Sequence, residues 1–194
     1  IKGGLQDQYA STFGGFNYIE FYKSNVIVNQ LRLSAETLDE LHSNILLFDT
    51  GMTRLSARIL DRQIKSVRKG KGDVVESLDR LKEIAIEMKN CLLRGDLDEF
   101  GRLLRDEWDY KKRLDPEISN PRIEKLINIA KNEGAIGWKL CGAGGGGHLL
   151  VYCELENRYR LIKALEKEGC RYVPIGFDFN GLRLWEVSEG RVRV

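Results

Sequence analysis

The spacing of apolar positions changes along the chain, and it predicts strands near both ends with helices between them. Residues 16–22 and 24–33 combine β-branched and aromatic side chains with partial alternation, as is typical of strands. Ser34 is predicted to cap a short helix that follows them. Residues 44–51 then have the length and composition of a buried strand that ends in a glycine turn.

Helical periodicity dominates the middle of the chain and predicts four helices. The first covers about 53–68, the second about 73–94 and the third about 97–113. The fourth begins at Pro121 and stops before Gly134, the usual placement of proline and glycine at the two ends of a helix. The predicted apolar stripe of the second helix consists of Leu78, Leu81, Ala85, Met88 and Leu92. The predicted apolar face of the third consists of Leu97, Phe100, Leu104 and Trp108.

The last sixty residues return to strand-like composition. "IGWKLCG" and "HLLVYCEL" are predicted strands, and a helix is expected from an Asn157 cap to a Gly169 stop. "YVPIGFDF" and "GLRLWEVS" are predicted to form a final hairpin around "DFNG". This order of elements predicts an α+β fold, with helices packed on one face of a mainly antiparallel sheet.

A glycine-rich stretch joins two of these strands. In "CGAGGGGHLLVYC", Gly142, Gly144 and Gly147 match G-x-G-x-x-G, but that dinucleotide fingerprint requires a helix where "HLLVYCE" has strand composition. The chain also contains no Gly-Lys-Ser/Thr, so it has no Walker A loop. Consecutive glycines are costly to order, which favours close approach of a phosphate or substrate to their N–H groups. A mobile hairpin is the alternative.

Two further polar segments contain candidate chemistry. "GGLQDQYASTFGGF" predicts a helix with Asp7 and Ser11 on one face, and Asp7 is either a cap or turn residue or a catalytic base. In "FDTGMTRLSARIL", Asp49 or Thr50 is positioned to cap the next helix. Arg54 then falls in the first turn, where a positive charge is unfavourable unless it has a partner.

Composition argues against several classes of protein. The net charge is only +2, and no basic stripe is interleaved with aromatic residues, so a nucleic-acid partner is not expected. The apolar runs are too short for a membrane-spanning helix, so no membrane partner is expected either. Four cysteines without C-x-x-C, and two histidines, argue against zinc and for reduced thiols in a cytoplasmic protein.

Taken together, three stretches resemble the GHMP superfamily of small-molecule kinases. The likeness is closest to its sugar-kinase branch acting on D-glycero-D-manno-heptose 7-phosphate, and it runs from about residue 3 to about residue 185. "GGLQDQYASTFGGFNYIEF" resembles the segment with that family's catalytic aspartate, and "LLFDTGMTRLSARIL" resembles one of its strand-to-helix segments. "SNPRIEKL" followed by "GAIGWKLCGAGGGGHLLVYC" resembles the third family motif, a glycine-rich loop between two strands.

The resemblance implies an ATP-dependent enzyme that uses Mg2+ and phosphorylates a sugar or sugar phosphate. Asp7 is the implied catalytic residue, which abstracts or orients the proton of the acceptor hydroxyl. Thr50 and Arg54 are weaker candidates for contacting the sugar phosphate. The implied substrate- and phosphate-binding loop consists of Gly142, Ala143, Gly144, Gly145 and Gly146.

The chain departs from the family pattern in one large respect. The second motif, Pro-x-x-x-Gly-Leu-x-Ser-Ser, and its Mg2+-binding Ser and Glu are not among the 194 residues, so no metal ligand is expected here. Residues 1–50 are interpreted as the end of an N-terminal kinase domain and 51–194 as the C-terminal domain. Activity is expected to need the N-terminal portion, covalently attached or as a partner chain, and a homodimer stays open. The alternatives are a non-catalytic ligand-binding module, or a kinase for another sugar such as galactose or fucose.

Overall fold

The computed structural model describes residues 4–52, 62, 72–188 and 191–193, which belong to two compact units. The larger unit spans Leu33–Ile175, and the smaller one combines Gly3–Arg32 with Gly176–Val194. The predicted division after residue 50 falls inside the larger unit, and as an assignment of domains it stays a prediction.

Helices and strands alternate in blocks, as the sequence predicts. The described helices are α1 (Gln6–Phe13), α2 (Ala35–Asn44), α3 (Gly72–Arg94), α4 (Leu97–Lys112), α5 (Pro121–Asn132) and α6 (Arg158–Lys167), with a 3-10 turn at Leu155–Asn157. The strands are β1 (Phe16–Phe21), β2 (Val26–Leu31), β3 (Ile45–Asp49), β4 (Ala135–Leu140), β5 (His148–Cys153), β6 (Arg171–Val173), β7 (Glu186–Ser188) and β8 (Arg191–Arg193). None of the helices in this described part is long and apolar enough to cross a membrane.

A four-stranded antiparallel sheet forms the centre of the larger unit. Its strand order is β4-β5-β3-β6, so β3, far earlier in the chain, lies between β5 and β6. Phe48 of β3 and Leu149 of β5 are fully buried together with Leu126 of α5 and Leu161 of α6. This shared core confirms the predicted α+β fold with a mainly antiparallel sheet.

Helix α4 also reaches the opposite face of this sheet. Side chains alternate along a strand, so Tyr152 points away from the core side that Val151 occupies. The Tyr152 ring packs edge-on against Phe100 of α4, with ring centroids 6.3 Å apart. Gly101 permits this approach, since a Cβ on it would lie 2.5 Å from the Tyr152 ring.

Several helix ends follow their sequence signals. Ser34 Oγ accepts the Thr37 N–H at 3.1 Å, which confirms the predicted cap of α2. Pro121 is the first residue of α5, and Asn120 caps that helix. The predicted helix after Asn157 is present as α6, but the Asn157 side chain accepts no capping N–H, because a 3-10 turn leads into the helix.

The buried face of α3 differs from the predicted stripe. Ala85 is exposed, Leu78, Leu81 and Met88 are half-buried, and Leu92, at 8 % exposed, is the one predicted stripe residue that is buried. Because apolar residues such as Ile86 also occur outside the buried face, the helix sequence alone does not choose a face. Packing against α4 chooses it. The buried side chains are Val74, Ser77, Ile84, Cys91 and Leu92.

The predicted C-terminal hairpin is wrong. β6 covers only Arg171–Val173 and pairs with β3, and the terminal hairpin is instead β7 with β8. Pro174 follows β6 and has no N–H to continue the ladder, so the strand ends there. The segment between Pro174 and Trp185 is not a strand.

The smaller unit contains α1 and two hairpins. β1 pairs with β2, from Phe16 opposite Leu31 to Phe21 opposite Val26. The end of α1 lies against the later segment, since the Leu182 N–H donates to the Thr12 carbonyl at 3.0 Å.

Candidate functional site: a glycine-rich loop and an exposed aspartate

The glycine-rich loop, residues 141–147, connects β4 to β5 in the larger unit. The Cys141 N–H donates to the His148 carbonyl at 2.9 Å, which closes the base of the loop. A strand, not a helix, begins directly after Gly147. The loop therefore lacks the helix N-terminus that a dinucleotide fingerprint requires, as the sequence predicts.

Backbone contacts fasten the loop at two points. The Gly145 N–H donates to the Ile118 carbonyl at 2.8 Å, and the Gly147 N–H donates to the Met52 carbonyl at 2.7 Å. Thr50 secures the second point from the other side, since its N–H and its hydroxyl both donate to the Gly147 carbonyl, at 3.0 and 2.7 Å. The loop is thus held by two separate segments of the unit, residues 50–52 and the backbone at Ile118.

Two side chains bind further carbonyls of the loop region. Lys111 Nζ lies 2.7 Å from the Gly142 oxygen and 3.4 Å from the Leu140 oxygen. Burial, with Lys139 nearby, lowers the pKa of Lys111. Asn120 Nδ2 donates to the Gly145 oxygen at 3.2 Å. Carbonyl oxygens of the loop are therefore directed toward the protein.

The loop also presents N–H groups without an acceptor. Within the described part of the chain, no hydrogen bond uses the backbone N–H of Gly142, Ala143 or Gly146. Gly142 is exposed, and Ala143 and Gly146 are half-buried. A loop whose carbonyl groups bind the protein, and whose N–H groups have no acceptor, has the polarity of an anion-binding concavity.

Close packing, rather than a ligand, accounts for two of the glycines. A Cβ on Gly144 would lie 2.8 Å from the Ile118 oxygen, and a Cβ on Gly146 would lie 2.6 Å from the Met52 oxygen. Both distances are too short for any side chain. The sequence predicts that a ligand approaches the glycine run, whereas the structure shows that Gly144 and Gly146 admit the protein's own backbone.

Thr50 lies at this loop, but it is only 3 % exposed. Its hydroxyl proton is committed to the Gly147 carbonyl. Binding of a sugar phosphate by Thr50 stays a prediction. Arg54 lies outside the described residues.

A charged group that the sequence does not predict lies beside the loop. Asp49 is opposite His148 on one neighbouring strand and Arg171 on the other. Asp49 Oδ1 accepts the Gly51 N–H at 2.9 Å, and Oδ2 lies 3.0 Å from Arg171 Nη2. The Gly51 hydrogen bond and then Arg171 lower the pKa of the Asp49 carboxyl. No local pattern could reveal this group, because only strand pairing joins its members.

Asp7 is an exposed residue of α1 in the smaller unit. The Ser11 hydroxyl donates to the Asp7 backbone carbonyl at 2.7 Å, and no described side chain contacts the Asp7 carboxylate. The flanking Gly14 is explained by packing, because a Cβ there would overlap the backbone of Gly181. The carboxylate is thus available to a ligand, and its catalytic role stays a prediction.

Comparison with known proteins gives one consistent result. The family described as GHMP kinases C terminal matches residues 88–171. The chain is 37 % identical over 191 residues to the D-glycero-alpha-D-manno-heptose 7-phosphate kinase of Campylobacter jejuni, an alignment covering 96 % of this chain and 55 % of that protein. It is 33 % identical to the L-fucokinase/L-fucose-1-P guanylyltransferase of Bacteroides fragilis, over 94 % of this chain and 20 % of that protein.

A solved structure shares the fold over nearly the whole chain. The D-glycero-D-manno-heptose 1-phosphate kinase from Bacteroides thetaiotaomicron superposes with a TM-score of 0.70 at 29 % identity, covering 96 % of this chain and 50 % of that one. The chain spans about half the length of the heptose-kinase relatives it matches. On the family match, the identity along the chain and the shared fold, the chain contains a GHMP kinase C-terminal domain.

Proposed function

We propose that this chain forms part of an ATP-dependent sugar kinase whose acceptor is D-glycero-D-manno-heptose 7-phosphate, phosphorylated at its anomeric hydroxyl. The observation that carries the proposal is the loop whose N–H groups at Gly142, Ala143 and Gly146 have no acceptor among the residues that the structure describes. The similarity to the Campylobacter jejuni heptose 7-phosphate kinase supports the choice of acceptor.

The loop suits phosphoryl transfer because that reaction depends on positioning and on stabilising charge at the phosphoryl oxygens. Neutral N–H donors held by a rigid backbone serve both purposes without being reorganised during the reaction. Gly145 and Gly147 supply the rigidity, since their own N–H groups are bound to the Ile118 and Met52 carbonyls. We assign the contacts with phosphate or sugar oxygens to the N–H groups of the neighbouring residues.

Asp7 is proposed as the residue that accepts or orients the proton of the acceptor hydroxyl. An exposed carboxylate that has no hydrogen-bond or ion-pair partner among the described residues can accept a hydrogen bond from a substrate hydroxyl. When ATP is bound, it supplies the phosphoryl group that the hydroxyl attacks.

We propose no Mg2+ site in the described part of this chain. In the described ranges, no group of three or more His, Cys, Asp or Glu side chains could hold a metal ion. We therefore assign no step of the reaction to a metal bound by these residues. We propose that the ATP phosphates and Mg2+ are held by an N-terminal portion, joined covalently or supplied as a second chain, because the Gly-Leu-x-Ser-Ser loop is not among the 194 residues.

The decisive assay measures ADP release by the complete kinase that contains this chain, with heptose 7-phosphate as the acceptor. Asp7→Asn removes the charge with little change of shape and is expected to lower kcat by about 100-fold or more. Asp39→Asn is the matched control, because Asp39 is likewise exposed on a helix and its carbonyl also accepts a serine hydroxyl, that of Ser43 at 2.8 Å. Full activity in the Asp7 variant would refute the assigned role.

A second acceptor class follows from a specific observation, the 33 % identity to the Bacteroides fragilis fucokinase. The same assay with L-fucose and galactose distinguishes the acceptors by kcat/KM. Preference for a sugar without phosphate would replace the heptose assignment but keep the kinase. If the complete protein binds a sugar phosphate without releasing ADP, it is a binding module and the kinase proposal fails.

A further inference from the structure

Asp115 is a buried carboxylate in the connection between α4 and α5. It is only 6 % exposed, and a carboxylate in that environment is strongly destabilising unless a positive charge and hydrogen bonds compensate it. Arg62 supplies both, since its Nε lies 2.9 Å from Oδ2 and its Nη2 lies 2.9 Å from Oδ1. The two groups thus form the paired, planar contact that a guanidinium makes with a carboxylate.

The same guanidinium also binds the neighbouring acidic residue. Arg62 Nη1 donates to Glu117 Oε1 at 2.7 Å. Arg62 comes from a part of the chain 53 residues before Asp115, so the contact is tertiary rather than local. A lysine could not reproduce it, because an ammonium group has no planar fork with which to hold two carboxylates at once.

Asp115 in turn shapes the backbone that follows it. Its Oδ1 also accepts the Glu117 N–H at 2.8 Å, and its carbonyl accepts the Ile118 N–H at 3.1 Å. Residues 115–118 therefore form a turn whose geometry depends on the position of the Asp115 side chain. Ile118, at the end of the turn, is fully buried.

The turn ends at the glycine-rich loop. The Ile118 carbonyl accepts the Gly145 N–H at 2.8 Å, and the Ile118 Cα would lie 2.9 Å from a Cβ on Gly144. The backbones touch with no side chain between them, so a shift of the Ile118 peptide must move Gly144 and Gly145. The other fastening point, from Gly147 to Met52, does not involve this turn.

We propose that Arg62 is a positioning residue for the glycine-rich loop, acting through Asp115 and the turn that ends at Ile118. The contact holds the loop half that contains Gly144 and Gly145, and the Gly147 half has its own support. The structural part of this inference does not depend on the proposed function. Its kinetic consequence does.

Residue-resolved amide hydrogen exchange in the 194-residue chain tests the structural part. Arg62→Met keeps the length of the side chain and removes its hydrogen bonds, so the Gly145 N–H is expected to exchange about tenfold faster or more. The Gly147 N–H is expected to keep its wild-type rate. Loss of general stability would instead accelerate both amides together.

Arg122→Met is the matched control. Arg122 is 33 % exposed against 32 % for Arg62, and it forms its own ion pair with Glu168 at 3.1 Å. The control is expected to lower stability without a selective effect on Gly145. Equal effects of the two variants on Gly145, or no effect of Arg62→Met, would overturn the proposal. If Arg62→Met does not fold, Arg62→Lys decides in the same way, with a smaller selective increase expected at Gly145.

The kinetic consequence is measured in the complete kinase. Arg62→Met is expected to raise KM for the phosphorylated acceptor by about tenfold, with partial recovery in Arg62→Lys and none of the change in Arg122→Met. An unchanged KM together with selective exchange at Gly145 would contradict the loop's role in binding and leave Arg62 as its support. An inactive wild-type kinase would count against the proposed function and not against the exchange result.

Discussion

Alanine substitutions at three glycines of the loop should separate two causes of strain. Gly142 has a left-handed φ of 78° and open space where a Cβ would be. Gly146 has no left-handed φ, but its Cβ would lie 2.6 Å from the Met52 oxygen. Gly144 combines both conditions, with a φ of 98° and a Cβ that would lie 2.8 Å from the Ile118 oxygen.

The structure sets the expected size of each effect. A left-handed backbone conformation costs a non-glycine residue about 1–2 kcal/mol. This cost is the whole expected loss in the free energy of unfolding for Gly142→Ala. Forcing a methyl group into packed backbone costs about 1–3 kcal/mol, which is the expected loss for Gly146→Ala. Gly144→Ala should lose about 2–5 kcal/mol, the two contributions together. The lower entropy of unfolded alanine offsets each loss by a similar amount, so the ranking is unaffected.

Urea unfolding followed by tryptophan fluorescence measures these losses. Trp108 and Trp138 are 0 % and 7 % exposed in the core of the larger unit, so their emission reports the unfolding of that unit. Trp185 of the smaller unit is 68 % exposed and is replaced by phenylalanine in every variant to remove its signal. A loss for Gly144→Ala no greater than that for Gly142→Ala would refute the close approach to Ile118.

Two further outcomes are expected in the same unit. Asn120→Ala should lower the free energy of unfolding by about 1–2 kcal/mol, because Asn120 caps α5 and also donates to the Gly145 carbonyl. Asn120→Asp should lower it less, because aspartate keeps the cap. Equal urea midpoints for the two variants would contradict this. Burial raises the pKa of Cys153 to about 11 and that of Tyr152 to about 12. The folded unit therefore keeps protons that the unfolded chain releases from about pH 8.5 upward. The contribution of these two groups to stability should be fully present below that pH and should be lost as the pH rises toward 11 and 12. The urea midpoints at pH 8 and pH 10 measure this loss of stability, and Cys153→Ala should make the loss smaller. A midpoint that stays constant between the two pH values would show that these groups do not retain their protons.

Local signals were sufficient for most of the elements. Ser34 and Pro121 mark the starts of α2 and α5 because caps and proline act within a single turn of backbone. The rejection of a dinucleotide site also needed only the sequence, since the strand composition after Gly147 left no helix to bind a pyrophosphate. These properties depend on a few consecutive residues, so the local sequence is enough to predict them.

Choices among competing partners required the tertiary structure. The face that α3 buries was predicted only in part, because its apolar residues allow more than one face and packing against α4 selects one. The predicted C-terminal hairpin failed because β6 pairs with β3, which is more than a hundred residues away in the sequence. Strand and helix propensities contain no information about such a distant partner.

The glycine-rich loop shows the same division. Its sequence determines that the loop is a strand-to-strand connection with backbone that other residues could not adopt. Only the tertiary structure decides that Gly144 and Gly146 accommodate the Ile118 and Met52 backbones, and that Arg62 supports this arrangement through Asp115. The physical reason is that conformational preference is a property of each residue, whereas close approach and charge pairing exist only after distant segments have met.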